Sequence, residues 1–191
     1  KAKLAKNFDY DYWDGDRSTG YGGYKNDGRW DNIADKFIKN YDLTQESKVL
    51  DIGCGKGYFL SSLKNKYGIQ NLSGIDVSTY AIAHAEANVQ DLIINKDATE
   101  LNQYRDKEFD LVVSMNTLHN LYLHDLMKAL SEIERISKRS YICVESYRNE
   151  EEKWNLMRWQ LTCECFFTPE EWEFIFNKSG FKGDYEFIYF T

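Results

Sequence analysis

The sequence lacks any apolar run long enough to cross a membrane. A membrane-spanning helix needs about 18 or more consecutive apolar residues, and none occurs among the 191 residues. The opening stretch, KAKLAKNFDY, also lacks the apolar core that defines a secretory signal peptide. We therefore expect a cytoplasmic protein that has no membrane partner.

Clustered positive charge is also missing. Lys and Arg together number 24 against 31 Asp and Glu, which gives a formal net charge of −7. Proteins that bind the phosphate backbone of nucleic acids depend on clustered Lys and Arg, because these side chains displace the counterions. Nucleic acid is therefore excluded as an expected partner.

Cysteine is scarce and shows no metal-binding or redox spacing. The 4 cysteines do not make a disulfide framework at this length, and none forms a CxxC pair. Cys163 and Cys165 flank Glu164, an arrangement that strand alternation explains, with a metal or redox feature as the alternative. No separate metal motif occurs, so we expect reduced thiols and no resident metal.

What is present is a regular alternation of strand and helix patterns. Short apolar runs predict strands, and apolar residues three or four positions apart predict helices. Such alternation predicts a doubly wound, mainly parallel α/β sheet that helices cover on both faces, which is a three-layer α/β/α sandwich. The predicted elements are strand 48–52, helix 58–67, strand 71–76, helix 79–88, strand 92–95, strand 109–114, helix 123–136 and strand 141–145.

The remaining segments complete one expected domain, residues 1–191. A last helix is expected between Thr168, a suitable N-cap, and Gly180, followed by a strand at 185–190. Residues 146–168 are interpreted as an insertion over the carboxyl ends of the strands. Residues 1–30 are rich in glycine and in large aromatic side chains, which are unfavourable in water, so we expect an irregular segment that folds back as a lid.

The stretch VLDIGCGKGYFL places three glycines directly after the first predicted strand. Gly53, Gly55 and Gly57 permit a tight turn and the close approach of a ligand to the amides that start the next helix. Their GxGxG spacing lacks the third glycine of the dinucleotide fingerprint, which disfavours a nicotinamide enzyme. Asp51 in the same stretch would repel a pyrophosphate but suits a ligand that carries an ammonium group.

Asp76 indicates the other half of the ligand. It ends the second predicted strand, where a carboxylate accepts hydrogen bonds from both hydroxyls of a ribose. Adenosine joined to a cationic amino-acid tail is S-adenosylmethionine. Four stretches in order, VLDIGCGKG, GIDVS, NKDA and FDLVVSMNTLHNL, resemble the motifs of class I S-adenosylmethionine-dependent methyltransferases over about residues 45–145. The resemblance implies that family's Rossmann-like fold, its cofactor and the product S-adenosylhomocysteine.

The resemblance also implies which residues hold the cofactor. The glycine motif would face the methionine portion, the second and third motifs the ribose and adenine, and the fourth motif the amino-acid end. A tyrosine of the N-terminal segment would lie near the methionine. For Asp97 the structural alternative is a helix N-cap, and NKDA lacks the glycine that often precedes the acidic residue. The implied cofactor-binding residues are Asp51, Gly53, Cys54, Gly55, Gly57, Asp76, Val77, Asp97, Ala98, Asn116 and Tyr21.

The chemistry of methyl transfer gives the candidate catalytic residues. In-line displacement at a sulfonium carbon needs an aligned acceptor and, where the acceptor is a hydroxyl, a base. His119, just past the fourth predicted strand, and Glu145, at the end of the fifth, are the candidate bases. The alternatives are a structural role for His119 and a solvated loop carboxylate for Glu145.

The acceptor is expected to be a small molecule. MNTLHN stands where enzymes that methylate amide or base nitrogens carry an Asn-Pro-Pro-Tyr motif. Arg17, Arg29 and Arg148 are candidates for binding an anionic group of the acceptor, and Tyr24 is a further acceptor candidate. The stretch GDRSTGYGGYKNDGRW is similar to the N-terminal arm of small methyltransferases that modify surface-polysaccharide precursors.

The leading hypothesis is methyl transfer to an oxygen of a small metabolite, either anionic or sugar-linked, such as a capsule polysaccharide precursor. The protein would act as a monomer or a homodimer. N-methylation of a small amine is one alternative. A non-catalytic S-adenosylmethionine-binding regulatory module is another, for which an exposed apolar WNLMRW segment would serve as a partner surface.

Overall fold

A single six-stranded, all-parallel sheet organises the molecule. The computed structural model describes residues 1–191. The strands lie in the spatial order β3-β2-β1-β4-β5-β6, so the chain starts in the middle and winds first to one edge and then to the other. Their bounds are β1 Val49–Ile52, β2 Leu72–Asp76, β3 Ile93–Asn95, β4 Phe109–Met115, β5 Ser137–Glu145 and β6 Asp184–Ile188.

Eight helices accompany the strands. Two short 3₁₀ turns, Gln90–Leu92 and Leu118–Asn120, precede β3 and follow β4. None of the helices is both long and apolar enough to cross a membrane. The helices are α1 Ala2–Ala5, α2 Tyr10–Trp13, α3 Arg29–Tyr41, α4 Tyr58–Tyr67, α5 Thr79–Ala83, α6 Leu123–Ile136, α7 Glu150–Trp159 and α8 Pro169–Ser179.

The sheet separates two apolar cores. Successive strand residues point to opposite faces, so Val49 packs into the core beneath α3 and α4 while Leu50 packs into the core beneath α6 and α8. Both residues are fully buried. This arrangement confirms the predicted doubly wound three-layer fold, and it explains why the strands are continuous apolar runs.

The last helix shows how closely local chemistry can specify an element. The Thr168 hydroxyl accepts a hydrogen bond from the Glu171 amide, and the Glu171 carboxylate accepts one from the Thr168 amide, which is a complete capping box. Pro169 occupies the first helical position, where its missing N–H costs nothing. Gly180 ends the helix in the left-handed conformation at φ 73°. Both predicted ends of this helix are confirmed.

One predicted helix is shorter than its pattern. The helix expected over 79–88 ends at Ala83. The Gln90 side-chain amide donates to the carbonyls of Ile82 and Ala83, at 2.9 and 3.0 Å, and the Glu86 amide donates to a carbonyl of the glycine loop. These tertiary hydrogen bonds replace the helical ones, and residue periodicity alone does not reveal them.

Three further elements differ from the sequence prediction. Residues 146–168 contain helix α7, whose N-cap Asn149 accepts a hydrogen bond from the Glu152 amide. The N-terminal segment, which we define as residues 1–30, contains the short helices α1 and α2 where an irregular chain was expected. Strand β5 begins at Ser137, before the predicted start, because it pairs with β4 along its length.

Candidate functional site

One large cavity of about 570 Å³ lies at the carboxyl ends of the central strands. The ends of β1, β2 and β4, helix α3 and the N-terminal segment line it. In a parallel sheet all strands end at the same edge, so side chains from separate parts of the sequence meet there. Most of the lining is apolar, and the carboxylates of Asp51 and Asp76 are its central polar groups.

Asp51 is a buried acidic residue of the cavity that has no partner in the protein. Only 3 % of the residue is exposed, and the structure gives its carboxylate no hydrogen-bond donor or cationic partner. Burial, and secondarily the charge of Asp76, raise the pKa of Asp51 to about 8. A cationic group placed in the cavity would restore the charged carboxylate, so this residue is suited to an ammonium ligand.

Asp76 is fixed at the end of β2, beside β1. Its two carboxylate oxygens accept hydrogen bonds from the Gly55 amide at 2.7 Å and the Ser78 amide at 2.8 Å. Burial nevertheless raises the pKa of Asp76 above its ordinary value. Each oxygen keeps a further lone pair for a hydroxyl ligand, so Asp76 is oriented as a ribose-binding residue requires.

The glycines of the loop after β1 are bare mainly because protein side chains pack against them. A Cβ on Gly53 would collide with the Thr117 side chain, and one on Gly55 would lie 2.7 Å from the Trp13 ring. Both glycines line the cavity with positive φ. Gly57 does not line the cavity, because it starts α4 and faces the Val89 and Ile93 side chains.

The remaining cofactor candidates extend along the cavity on both sides of Asp76. Val77, Asp97 and Ala98 line the end near β2 and β3. Asp97 also accepts hydrogen bonds from the amide and hydroxyl of Thr99, at 2.8 and 2.7 Å, so it caps a turn as well as facing the cavity. Cys54 and Asn116 line the middle of the cavity, and Asn116 is held there in the left-handed conformation at φ 56°.

The N-terminal segment is attached to the glycine loop by specific contacts. The Lys56 ammonium, nearly buried, donates to Asp14 at 2.7 Å and to the Tyr24 carbonyl at 2.9 Å. The Trp13 indole donates to the Ser78 hydroxyl at 2.9 Å. Tyr21 and Tyr24 both line the cavity, as do other aromatic side chains of the segment. The segment therefore forms part of the cavity wall, and its role as a lid stays a prediction.

His119 and Glu145 lie together but outside the cavity lining. His119 Nε2 and Glu145 Oε2 are 3.5 Å apart, and both side chains are almost fully buried. Burial lowers the pKa of His119 to about 3 and raises that of Glu145 to about 8, so both are neutral at pH 7. The Gln160 amide donates to the other Glu145 oxygen. The structure thus brings the two candidate bases into one buried pair rather than onto the cavity wall.

Two of the four candidate acceptor-binding residues line the cavity and two do not. Tyr24 and Arg29 line the cavity, although Arg29 also forms a two-point ion pair with Asp27. Arg17 instead stacks on the Trp159 ring, with its guanidinium carbon 4.4 Å from the ring centre. Arg148 pairs with Glu152 and stacks on Tyr189. Neither Arg17 nor Arg148 reaches the cavity lining.

Several residues that line the cavity belong to no sequence motif and were not predicted as site residues. They come from α3 and from the ends of β4, β5 and β6, and they form the side of the cavity farthest along the sheet from β3. Alternation along β5 places Tyr141 and Cys143 on one face, but only the sheet register shows that this face meets the cavity. The missed residues include Trp30, Ile33, Lys36, Phe37, Met115, Tyr141, Cys143, Glu186 and Ile188.

Comparison with known proteins identifies the domain that carries this cavity. Residues 50–144 match the family model described as a methyltransferase domain. The chain contains a class I methyltransferase domain. The match runs from β1 through β5 and so includes every cofactor motif recognised in the sequence. The cofactor of this methyltransferase domain is S-adenosylmethionine.

Solved and curated proteins resemble the methyltransferase domain at modest identity. A SAM dependent methyltransferase from Archaeoglobus fulgidus superposes with a TM-score of 0.62 at 26 % identity, covering 87 % of this chain and 72 % of that chain. Ribosomal protein L11 methyltransferase of Thermosipho africanus is 29 % identical over 60 % of this chain and 42 % of its own length. The mitochondrial arginine-hydroxylase NDUFAF5 of Rattus norvegicus is 33 % identical over 56 % and 29 %. The chain spans less than half of both curated relatives.

The residues of the cavity fit this cofactor. The uncompensated carboxylate of Asp51 matches the ammonium group of the methionine portion, and the oriented carboxylate of Asp76 matches the ribose hydroxyls. The glycine loop also lines the cavity, through Gly53, Cys54 and Gly55. No three His, Cys, Asp or Glu side chains come together as metal ligands.

Proposed function

We propose that this protein transfers a methyl group from S-adenosylmethionine to a small acceptor bound in the same cavity. The observation that carries the proposal is the extent of that cavity. It reaches from Asp51 and Asp76, which suit the cofactor, to Tyr141, Cys143 and Glu186, which no cofactor motif uses. A cavity lined at both ends in this way has room for a second ligand beside the first.

The cofactor supplies a methyl group bonded to a positively charged sulfur, and the chain supplies position and dryness. Asp51 binds the ammonium group and Asp76 holds the ribose, so the cofactor is fixed at two separated points. Trp13 and Tyr21 line the cavity with aromatic rings, which take the place of water around the reacting groups. Asn116 lies at the amino-acid end, where its backbone is already fixed by a hydrogen bond to the Cys143 carbonyl.

The cysteines of the cavity are kept from competing with the acceptor. Burial raises the pKa of Cys54 well above its ordinary value, and burial with the nearby Glu186 charge raises that of Cys143 to about 12. The thiolate, not the thiol, is the reactive form of cysteine. Both side chains therefore stay protonated and unreactive beside an electrophilic methyl group.

Oxygen is the acceptor atom expected from the sequence, and nitrogen is the second candidate. A hydroxyl acceptor needs a base, and the two candidate bases His119 and Glu145 do not line the cavity. A neutral amine carries its own lone pair and needs no base before attack. This placement supports nitrogen. Two observations support an anionic or sugar-linked acceptor, such as a capsule precursor. Arg29 lies on the cavity wall, and the N-terminal arm is similar to that of methyltransferases that modify surface-polysaccharide precursors.

The relatives bear on the proposal through what they are named for. One is named for methylation of a ribosomal protein and another as an arginine-hydroxylase. A test of the proposal must therefore be able to detect a macromolecular acceptor and a reaction other than methyl transfer. A non-catalytic regulatory module is the third possibility that the same test separates.

The test is incubation with methyl-labelled S-adenosylmethionine and a cell extract, followed by ultrafiltration and mass spectrometry. We expect label in the small-molecule fraction and none with Asp51→Asn, which cannot hold the ammonium group. The type of labelled bond distinguishes oxygen from nitrogen. Label confined to protein or RNA would contradict a small acceptor, and release of no labelled product despite cofactor binding would favour a regulatory module.

A further inference from the structure

A pair of polar side chains lies at the end of the cavity that the cofactor motifs leave free. The Tyr141 hydroxyl donates a hydrogen bond of 2.6 Å to one carboxylate oxygen of Glu186. Tyr141 lies on β5, and Glu186 lies on the neighbouring β6, two residues beyond Asp184, the residue that pairs with Tyr141. The second oxygen of Glu186 receives no hydrogen bond within the protein, and the residue lines the cavity. The carboxylate is thus oriented but only partly used.

Apolar and aromatic side chains surround this pair. Phe37 from α3 meets the Tyr141 ring edge to face at a centroid distance of 4.9 Å, which fixes the ring. Met115 pairs with Cys143 across β4 and β5, and Cys143 pairs with Glu186 across β5 and β6, so the three share one face. We call this region the acceptor pocket, formed by Phe37, Met115, Tyr141, Cys143, Glu186 and Ile188.

The charge of the acceptor pocket is negative. Glu186 is its only ionisable group besides the protonated thiol of Cys143 and the phenol of Tyr141, whose pKa burial raises further. Three cations line the rest of the cavity, namely Arg29, Lys36 and Lys96. Arg29 is paired with Asp27, and Lys96 lies at the β3 end of the cavity and donates to Gln103. Lys36 is exposed to solvent, as Glu186 is, and the two form no ion pair. Aromatic faces beside a carboxylate attract a cation rather than an anion.

We propose that Glu186, held by Tyr141, binds the amino group of the acceptor, so that the substrate class is a small amine with an apolar body. This inference rests on the proposed function. The amine binds at Glu186 in its ammonium form and there releases one proton to solvent through the cavity mouth. Its lone pair then forms the N–C bond while the S–C bond breaks and leaves its electron pair on sulfur. The methylated ammonium product loses its extra proton to water.

The test uses matched probes on the full chain saturated with S-adenosylhomocysteine. The probes are benzylamine with benzyl alcohol and benzoate, and cyclohexylamine with cyclohexanol, observed by saturation-transfer NMR. The amines should bind in preference to the alcohols and to benzoate. Glu186→Gln keeps the shape and removes the charge, so amine affinity should fall about tenfold, the size of a charge-assisted hydrogen bond. Tyr141→Phe should weaken amine binding less, because the carboxylate remains but is no longer fixed.

A matched control is a second tyrosine–glutamate pair, formed by Tyr185 on β6 and Glu173 on α8. The Tyr185 hydroxyl donates to Glu173 at 3.0 Å, outside the cavity, so Glu173→Gln should leave amine binding unchanged. Where an amine is turned over, Glu186→Gln should raise KM much more than it lowers kcat, because the contact is made in binding rather than in the chemical step.

The proposal and the proposed function fail in different ways. Calorimetry with S-adenosylhomocysteine comes first, and a lack of binding would reject the proposed function itself. Three outcomes with intact cofactor binding would overturn only the amine assignment. They are equal affinity for amines and alcohols, no binding of either amine, and equal amine affinity of Glu186→Gln and the wild type. Preference for benzoate would do the same and would support the anionic acceptor.

Discussion

Asp51 shows at the residue scale how burial prepares a side chain for a cationic ligand. Its pKa of about 8 in the free protein means that the carboxyl holds a proton at pH 7. An ammonium group stabilises the charged form and lowers that pKa, so binding must release a proton. The cost of charging Asp51 is therefore met only when the cofactor is present.

We expect the affinity for S-adenosylhomocysteine to rise as the pH is raised from about 6 to about 8, by up to about tenfold per pH unit. Calorimetry in buffers of different ionisation enthalpy should show release of close to one proton. Asp51→Asn should lose both the affinity and the pH dependence. An affinity independent of pH in the wild type would contradict the account of Asp51.

The same residue makes a prediction about stability without cofactor. The pKa of Asp51 is raised in the folded protein above its ordinary value of 3.8, so the folded state holds the proton between about pH 4 and pH 8 and the unfolded state does not. Its contribution to the free energy of unfolding is then present at low pH and is lost as pH rises through that window. Asp51→Asn has no such loss.

The difference in unfolding free energy, Asp51→Asn minus wild type, should therefore increase between pH 5 and pH 8. Urea denaturation of both proteins at the two values measures it, and the comparison cancels other titrating groups such as Glu145. A difference that stays constant, or that falls with pH, would show that the folded protein does not raise this pKa.

At the scale of elements, the N-terminal segment and the glycine loop form one unit. Lys56 connects them through a nearly buried ion pair with Asp14, which also accepts a hydrogen bond from the Tyr80 hydroxyl at 2.9 Å. Trp13 adds an indole hydrogen bond and fills the space that Gly55 leaves open. Loss of one partner of a buried pair is costly because the other charge stays uncompensated.

Lys56→Met should therefore release the N-terminal segment while the sheet stays folded. We expect chymotrypsin to cleave at the aromatic residues of the segment several-fold faster, with an unchanged far-UV circular dichroism spectrum. Lys66→Met is the control, since Lys66 forms an exposed ion pair with Asp35 and should leave cleavage unchanged. Equal cleavage of both variants would show that the Lys56 pair does not hold the segment.

Local signals in the sequence were sufficient for elements whose own residues specify them. Thr168 as an N-cap and the glycine at position 180 predict both ends of α8, and the apolar runs predict the strands. Helix α5 was overestimated because Gln90, a residue beyond it, takes its last carbonyl groups. Such a contact depends on the folded arrangement and leaves no periodic trace in the sequence.

At the scale of the whole molecule, the sequence predicted the meeting of the residues that we assign to the cofactor, but not the residues at the other end of the cavity. Asp51 and Asp76 belong to consecutive strands that pair directly, so motif order was enough to bring them together. Tyr141 and Glu186 are far apart in sequence and meet only through the register of β5 and β6. His119 follows β4 and Glu145 ends β5, as the sequence predicted, but the burial of their side chains outside the cavity lining could not be predicted from those positions.

The central claim is that Asp51 and Asp76 form a binding site for S-adenosylmethionine, and calorimetric titration with S-adenosylhomocysteine tests it most directly. The account predicts one binding event per chain for the wild type, with affinity reduced at least about tenfold in Asp51→Asn and in Asp76→Asn, since each removes a charge-assisted hydrogen bond. Circular dichroism of the variants confirms that they remain folded. No binding by the wild type at millimolar ligand, or equal binding by wild type and both folded variants, would contradict it.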